Sequence, residues 1–134
     1  MKVLVIDAQG GGLGKQIISL LKKENAGIEV TAVGSNSTAT AAMLKAGADR
    51  AATGENSVCV CAAKADVIVG PIGIIIADSM LGEITEKMAA AVSRSEAKKI
   101  LIPYNSCEIF VVGVSDIGVG KLAAEAVKKI LDLH

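Results

Sequence analysis

The stretch Lys2-Val-Leu-Val-Ile-Asp7, followed at once by Ala8-Gln-Gly-Gly-Gly-Leu-Gly-Lys15, decides the fold. Its first half is a continuous run of β-branched and aliphatic residues, the pattern of a strand buried on both faces of a parallel sheet. Its second half is a glycine-rich turn that leads into a predicted amphipathic helix over residues 13–24, apolar on one stripe and charged on the other. A strand, a tight turn and a helix in immediate succession predict an α/β domain.

The rest of the chain repeats this alternation of strands and helices. Further strands are predicted at residues 28–33, 50–53, 66–70, 99–102 and 109–112, and further helices at 55–65, 85–95 and 119–131. Another helix is expected between a cap at Asn36 or Ser37 and a closing Gly47, whereas residues 72–81 fit either a helix or an extended segment. Such alternation predicts one three-layer, Rossmann-like domain over residues 1–134, built on a mostly parallel sheet. Only residues 103–108 separate the last two strands, too few for a parallel crossover, so strand 109–112 is predicted to be an antiparallel edge strand.

Composition excludes some classes of partner. The 14 basic residues balance the 14 acidic ones, so no net field attracts nucleic acid or an anionic membrane surface. Tyr104 and Phe110 are the only aromatic residues, which leaves few platforms for base stacking. No run approaches the ~18 consecutive apolar residues of a membrane span. We expect no nucleic-acid or membrane partner, and the odd cysteine count, with Cys59 and Cys61 too close to bridge comfortably, predicts a cytoplasmic protein without disulfides.

Small and polar residues follow several of the predicted strands, at the edge of the sheet where α/β proteins bind ligands. In open α/β sheets this site lies beyond the carboxyl ends of the strands, near the point where strand order reverses. Residues 8–14, 34–37, 70–73 and 103–107 occupy such ends. The candidate ligand contacts are Gly10, Gly11, Gly12, Leu13, Gly14, Lys15, Ser35, Asn36, Ser37, Gly70, Gly73 and Asn105.

The glycine run is the most specific of these features. Glycine lets the backbone turn tightly and approach a ligand closely, and the first N–H groups of the helix point at whatever lies there. The run therefore predicts a small anionic ligand, such as a nucleotide or another phosphate-bearing molecule. A full dinucleotide fingerprint would need glycine at Lys15, and no acidic residue closes the second strand, so NAD(P) is not supported. The alternative is that the glycines only permit close packing of helix on strand.

Three further side chains are candidates for chemistry. Asp78 lies within an apolar run, and a buried carboxylate there would be either a structural acceptor or a reactive acid. Cys107 follows a strand and could be a nucleophile, but the sole histidine, His134, is at the end of the sequence, so a small buried thiol is the alternative. Asp7, beside the glycine turn, could bind a cation or a sugar hydroxyl, or accept the amides of the turn. No metal site is predicted, because Cys59 and Cys61 lack further ligands.

Several longer stretches resemble a family of short bacterial proteins known only as domain-of-unknown-function family 3842. They are Val5-Ile-Asp-Ala-Gln-Gly-Gly-Gly-Leu-Gly-Lys15, Gly34-Ser-Asn-Ser-Thr-Ala-Thr40, Ala46-Gly-Ala-Asp49, Ala52-Thr-Gly-Glu-Asn56, Ala65-Asp-Val-Ile-Val-Gly-Pro-Ile-Gly73, Ala77-Asp-Ser-Met-Leu-Gly-Glu83 and Lys99-Ile-Leu-Ile-Pro103. Asn105 and Cys107 are also similar to the family pattern. The resemblance covers nearly the whole chain and implies one Rossmann-like domain, but no activity.

Three hypotheses follow from the sequence. The first is a binder of a nucleotide or phosphorylated metabolite, with Gly10 to Lys15 on the phosphate and Ser35 to Ser37 facing the sugar. The second is an interaction module, in particular a homodimer, because residues 72–81 carry more apolar side chains than one small element easily buries. The third is a small enzyme that uses Asp78 or Cys107.

Overall fold

A computed structural model of the chain describes residues 1–103, 109–115 and 117–134. These residues form five strands, five α-helices and one short 3₁₀ helix at Ile72–Ile75. The strands are β1 (Lys2–Asp7), β2 (Glu29–Gly34), β3 (Arg50–Thr53), β4 (Val67–Pro71) and β5 (Lys98–Ile102). The helices are α1 (Gly12–Glu24), α2 (Ser37–Lys45), α3 (Glu55–Ala62), α4 (Glu86–Arg94) and α5 (Val119–Leu133).

All described strands run parallel, in the order β3-β2-β1-β4-β5. The chain first builds outward from β1 through β2 to β3, then crosses back to β4 and builds outward in the other direction. The order therefore reverses between β1 and β4. In register, Val5 of β1 lies between Ala32 of β2 and Val69 of β4.

Strand β1 lies between two hydrophobic cores, one on each face of the sheet. Val3 and Val5 face one core, Leu4 and Ile6 face the other, and none is more than 1% exposed. This alternation is what a pleated strand imposes, and each such side chain stabilises the fold by about 1.5–3 kcal/mol relative to exposure. The continuous apolar run in the sequence is thus explained by burial on both faces.

Helices cover both faces of the sheet. The first core contains side chains of α1, α2 and α5, and the second contains side chains of α3 and α4. The sequence prediction of a three-layer α/β domain is confirmed. The longest helix, α5, has 15 residues, and none of the helices that the structure describes has the length and apolarity to cross a lipid bilayer.

The predicted antiparallel edge strand is wrong. Ile109–Val112 forms no strand, and β5 is the edge of the sheet within the described residues. Phe110 is 91% exposed and Val112 97% exposed, so neither side chain packs on a core. High β-propensity describes how well a residue fits a half-buried pleated surface, and here no such surface covers the segment.

Candidate functional site

A cleft of about 240 Å³ opens where the strand order reverses, beyond the carboxyl ends of β1 and β4. It is bordered by the turn between β1 and α1 on one side and by the segment after β4 on the other. Its lining residues are Asp7, Ala8, Gln9, Gly10, Gly11, Gly12, Leu13, Pro71 and Met80. The structure therefore brings part of the predicted glycine loop to the position where α/β sheets bind ligands.

Asp7 fills the inner end of this cleft with a carboxylate. It is 5% exposed, its Oδ1 accepts the N–H of Ala8 at 2.8 Å, and its Oδ2 accepts the N–H of Gly14 at 2.8 Å. Burial raises the pKa of Asp7, a nearby Glu83 raises it further, and the bonds from Gly14 and Ala8 only partly offset these effects. The carboxylate thus occupies part of the anion-binding end of α1 that the sequence assigned to a ligand.

Two main-chain donors of the turn remain without a protein acceptor. Gly11 donates to Ala8 O at 3.0 Å, and Lys15 donates to Gly11 O at 2.9 Å. Within the described part of the chain, no hydrogen bond uses the N–H of Gly10 or of Gly12. Both residues are exposed, so these two N–H groups are open to a ligand.

The glycines of the run differ in what surrounds them. A Cβ on Gly11, whose φ is 72°, would lie 2.9 Å from the backbone of Ala39, and a Cβ on Gly14 would lie 2.5 Å from Met43 Sδ. Both are therefore required by the close approach of α2. A Cβ on Gly10 or Gly12 would meet no atom within 4 Å. Packing thus explains Gly11 and Gly14, as the alternative interpretation expects, but does not explain Gly10 and Gly12.

A second carboxylate, on Glu83, ties three segments of the chain together beside the cleft. Its Oε1 accepts the hydroxyl of Ser35 at 2.5 Å, the side-chain amide of Asn36 at 2.7 Å and the N–H of Gln9 at 2.9 Å. Burial opposes ionisation of Glu83, but the bonds from these donors outweigh it and lower its pKa. Sequence reasoning missed Glu83, because no spacing pattern links it to partners that lie 47 to 74 residues away.

The polar turn after β2 is engaged with the protein itself. Asn36 caps α2, its Oδ1 accepting the N–H of Ala39 at 2.9 Å, and its Nδ2 also donates to Gln9 O at 2.9 Å. Ser35 donates its N–H to Asp7 O at 3.0 Å. Ser37 is exposed on the first turn of α2. Ser35 and Asn36, predicted to contact a ligand, both donate to Glu83 instead, and neither lines the cleft.

The segment from Asp78 to Glu83, which we call the strap, has an unusual backbone. Asp78, Met80 and Leu81 have φ values of 64°, 54° and 58°, in the left-handed region that costs a side-chain-bearing residue about 1–2 kcal/mol. Asp78 is exposed, so the expected burial of its carboxylate is wrong: the apolar run around it breaks into turns instead of continuing as one buried element. Met80 lines the cleft, and Leu81 is 96% exposed.

The remaining predicted residues lie around the cleft or beyond it. A Cβ on Gly70 would lie 2.3 Å from Ile6 O, so backbone packing requires this glycine, whereas a Cβ on Gly73 would lie 3.0 Å from Cε of the flexible Met80 side chain. Lys15 is exposed on α1 and does not line the cleft. Asn105 and Cys107 lie outside the described residues. Among the residues described, no cluster of three or more His, Cys, Asp or Glu side chains could hold a metal ion.

A hollow of about 280 Å³ lies at the opposite end of the sheet, between α3 and the first residues of β1, β2 and β3. It is slightly larger than the cleft, but size does not decide the choice between them. Arg50 and Glu29 at its rim pair with each other, and no glycine borders it. The cleft where the strand order reverses is the stronger candidate, because no hydrogen bond of the described residues uses the N–H groups of Gly10 and Gly12, which line it.

A five-stranded parallel sheet that reverses its order at a glycine turn defines a Rossmann-like, three-layer α/β domain. The chain belongs to the DUF3842 family, a domain of unknown function, whose family model matches residues 2–134. This confirms the resemblance seen in the sequence. No curated protein sequence matches the chain significantly.

Among solved structures, the chain is similar to a dodecameric FMN-dependent Ubix-like decarboxylase from Escherichia coli O157:H7. The two share 15% sequence identity with a TM-score of 0.48, over 99% of this chain and 93% of that one. The similarity is too low to support an inference about the ligand or assembly of this chain.

Proposed function

We propose that this chain binds a small phosphorylated molecule, of which nucleotides are one class, in the switch-point cleft. The observation that carries the proposal is the state of Gly10 and Gly12. Their N–H groups have no acceptor among the described residues, and no packing contact requires the absence of their Cβ atoms. Where the packing of the protein does not require a glycine, the missing side chain can serve to let a ligand approach the backbone closely.

The free energy that these two N–H groups can contribute limits how tightly a ligand binds. Two hydrogen bonds to a charged group contribute about 3–6 kcal/mol together, and the dipole of α1 adds ~0.3–1 kcal/mol. After the loss of translational and rotational freedom, a bare phosphate is expected to bind no more tightly than about millimolar. Tighter binding therefore needs contacts to the rest of the ligand.

Asp7 gives the binding a defined dependence on pH. Its ionised carboxylate repels an anion in the same cleft, whereas its protonated form does not. Burial raises the pKa of Asp7, so it takes up a proton at a higher pH than an ordinary aspartate does. Phosphate affinity is therefore expected to strengthen as the pH falls through the pKa of Asp7.

The test compares Gly12→Ala with Gly120→Ala. Both glycines lie in the first turn of a helix, α1 and α5 respectively, and a Cβ at either meets no atom within 4 Å. Each variant should be as stable as the wild type or up to ~1 kcal/mol more stable, because alanine favours the helix. Calorimetric titration with inorganic phosphate, ribose 5-phosphate and adenosine monophosphate then measures binding.

We expect Gly12→Ala to lower the affinity for the best of these ligands at least tenfold, with Gly120→Ala unchanged. Equal affinities in the two variants would show that the ligand does not approach Gly12. Absence of binding to the wild type by any of the three probes up to 10-millimolar order, about the weakest affinity the two amides support, would refute the proposal.

Self-association is a second candidate function, favoured by exposed apolar side chains. Leu81, Phe110 and Val112 are 96%, 91% and 97% exposed, and exposed apolar surface is a common feature of interfaces. Of the apolar residues of 72–81 that suggested a dimer, Ile74 is buried, whereas Ile72, Ile75, Ile76 and Met80 are half-buried. Light scattering that gives the mass of one chain at all concentrations would exclude this candidate.

A further inference from the structure

The hydrogen bonds of Glu83 indicate what kind of chemical group the protein can hold at the switch point, where the strand order reverses. One carboxylate oxygen, Oε1, receives three donors: the N–H of Gln9, the hydroxyl of Ser35 and the side-chain amide of Asn36. The donors come from the turns after β1 and β2, and the acceptor comes from a third segment, the strap after β4. None of these three donors is a main-chain N–H group in the first turn of a helix. Convergence of three donors from separate segments on one oxygen is the arrangement by which proteins hold an oxyanion.

The strap that delivers Glu83 is a tight turn: the N–H of Gly82 donates to Asp78 O at 3.1 Å, and the N–H of Glu83 donates to Met80 O at 3.2 Å. At one end, Ser79 Oγ donates to Gly73 O at 2.5 Å, and the N–H of Asp78 donates to Ile84 O at 2.7 Å. At the other end, Ile84 is fully buried. Between them, Leu81 combines a left-handed φ with 96% exposure, so no burial of its side chain compensates for its backbone strain.

Met80 of the strap packs partly against the second core, whereas Leu81 and Gly82 beside Glu83 are exposed and can move without opening that core. Three hydrogen bonds to its Oε1 hold the Glu83 side chain over the two turns. Releasing Glu83 would break these three hydrogen bonds. An anion that accepted hydrogen bonds from the same three donors would replace the bonds that are lost when Glu83 is released.

We propose that Glu83 is an internal anion that blocks an oxyanion site formed by Gln9 N, Ser35 Oγ and Asn36 Nδ2, and that a carboxylate or phosphate ligand displaces it. The strap is then an autoinhibitory segment, closed in this structure and open when the ligand is bound. This inference rests on the proposed function, because both place an anionic ligand at the switch point. It uses a different donor set, however, from the amides of Gly10 and Gly12.

The experiment removes the carboxylate of Glu83 and tests whether an added anion takes its place. Glu83→Ala removes the carboxylate, Glu83→Gln keeps a neutral acceptor, and Glu96→Ala is a matched control, because Glu96 is exposed and makes no hydrogen bond among the described residues. Thermal unfolding of the wild type and the three variants is followed with increasing sodium acetate or inorganic phosphate. Sodium chloride at equal ionic strength corrects for screening.

Glu83→Ala should unfold at a lower temperature than the wild type and should be restored saturably by acetate, by phosphate or by both. We expect its half-saturating concentration to be at least tenfold lower than that of the wild type or Glu96→Ala. Glu83→Gln should fall between them, since its weaker acceptor still holds the strap. Acetate alone would indicate a carboxylate ligand, and phosphate alone a phosphorylated one.

An unsaturable response of Glu83→Ala, equal to that of Glu96→Ala, would overturn the proposal. If Glu83→Ala does not fold, Glu83→Gln decides: a response equal to that of the wild type would also overturn it. The double variant Gly12→Ala, Glu83→Ala separates the two proposals. Restoration that survives Gly12→Ala supports the Glu83 site independently of Gly12, whereas loss of phosphate binding by Gly12→Ala in the wild-type background bears only on the proposed function.

Discussion

Replacing Gly70 with alanine tests how closely the two central strands approach each other at the switch point. A Cβ at this position would lie 2.3 Å from Ile6 O and 3.2 Å from Ile74 Cδ1. Since non-bonded heavy atoms are most stable at about 3.5–4.0 Å, Ile6 O and the new Cβ must separate by roughly 1 Å or more. The obstructing atom belongs to the backbone, so no side-chain rotation can relieve the contact.

Overpacking of a buried site commonly costs about 1–3 kcal/mol, and a backbone obstruction places Gly70→Ala at the upper end, about 3 kcal/mol. In a domain of this size that corresponds to a fall of roughly 10 °C in Tm. Urea denaturation should show a lower midpoint with an unchanged slope. Gly12→Ala is the control, because its Cβ meets no atom within 4 Å. A Gly70→Ala variant within about 1 kcal/mol of the wild type would refute this reasoning, since typical overpacking already costs that much.

Two further predictions concern pH. Hydrogen bonds from Lys22 Nζ and from the N–H of Val30 lower the pKa of Asp49. Asp49 therefore stabilises the fold above pH 3.8, the ordinary pKa of an aspartate, and this contribution is lost as the pH falls through the lowered pKa. Asp49→Asn should therefore flatten the acid limb of a plot of Tm against pH, and an unchanged limb would contradict it. Burial raises the pKa of Asp7, so its contribution has the opposite sign and is lost as the pH rises above 3.8 through the raised pKa. A carbon-detected NMR titration of the Asp7 carboxyl should give a midpoint above 3.8, and a midpoint at or below it would contradict the assignment.

The features that could be predicted from the sequence are those that depend on near neighbours. The pattern of β1 and α1 depends on which faces are buried, and the cap at Asn36 depends on a backbone N–H three residues later. The strand predicted at residues 109–112 failed because a strand needs a partner surface, which propensity does not provide. Glu83 was missed for a related reason. Its hydrogen bonds join loops 47 to 74 residues apart, and only the folded sheet order brings those loops together.

The glycine run shows why a motif alone could not assign the site. Gly11 and Gly14 are required by the contact with α2, and Gly14 also donates its N–H to the buried carboxylate of Asp7. A phosphate-binding interpretation of the whole run would count these residues as ligand contacts, although the fold already accounts for them. What remains is Gly10 and Gly12, where an added Cβ would meet open space and whose N–H groups have no acceptor in the part of the chain that the structure describes. Because Asp7 lies beside them, the ligand that we propose would have to tolerate a neighbouring carboxylate, which favours a molecule that carries hydroxyl donors near its anionic group over a bare, fully ionised phosphate.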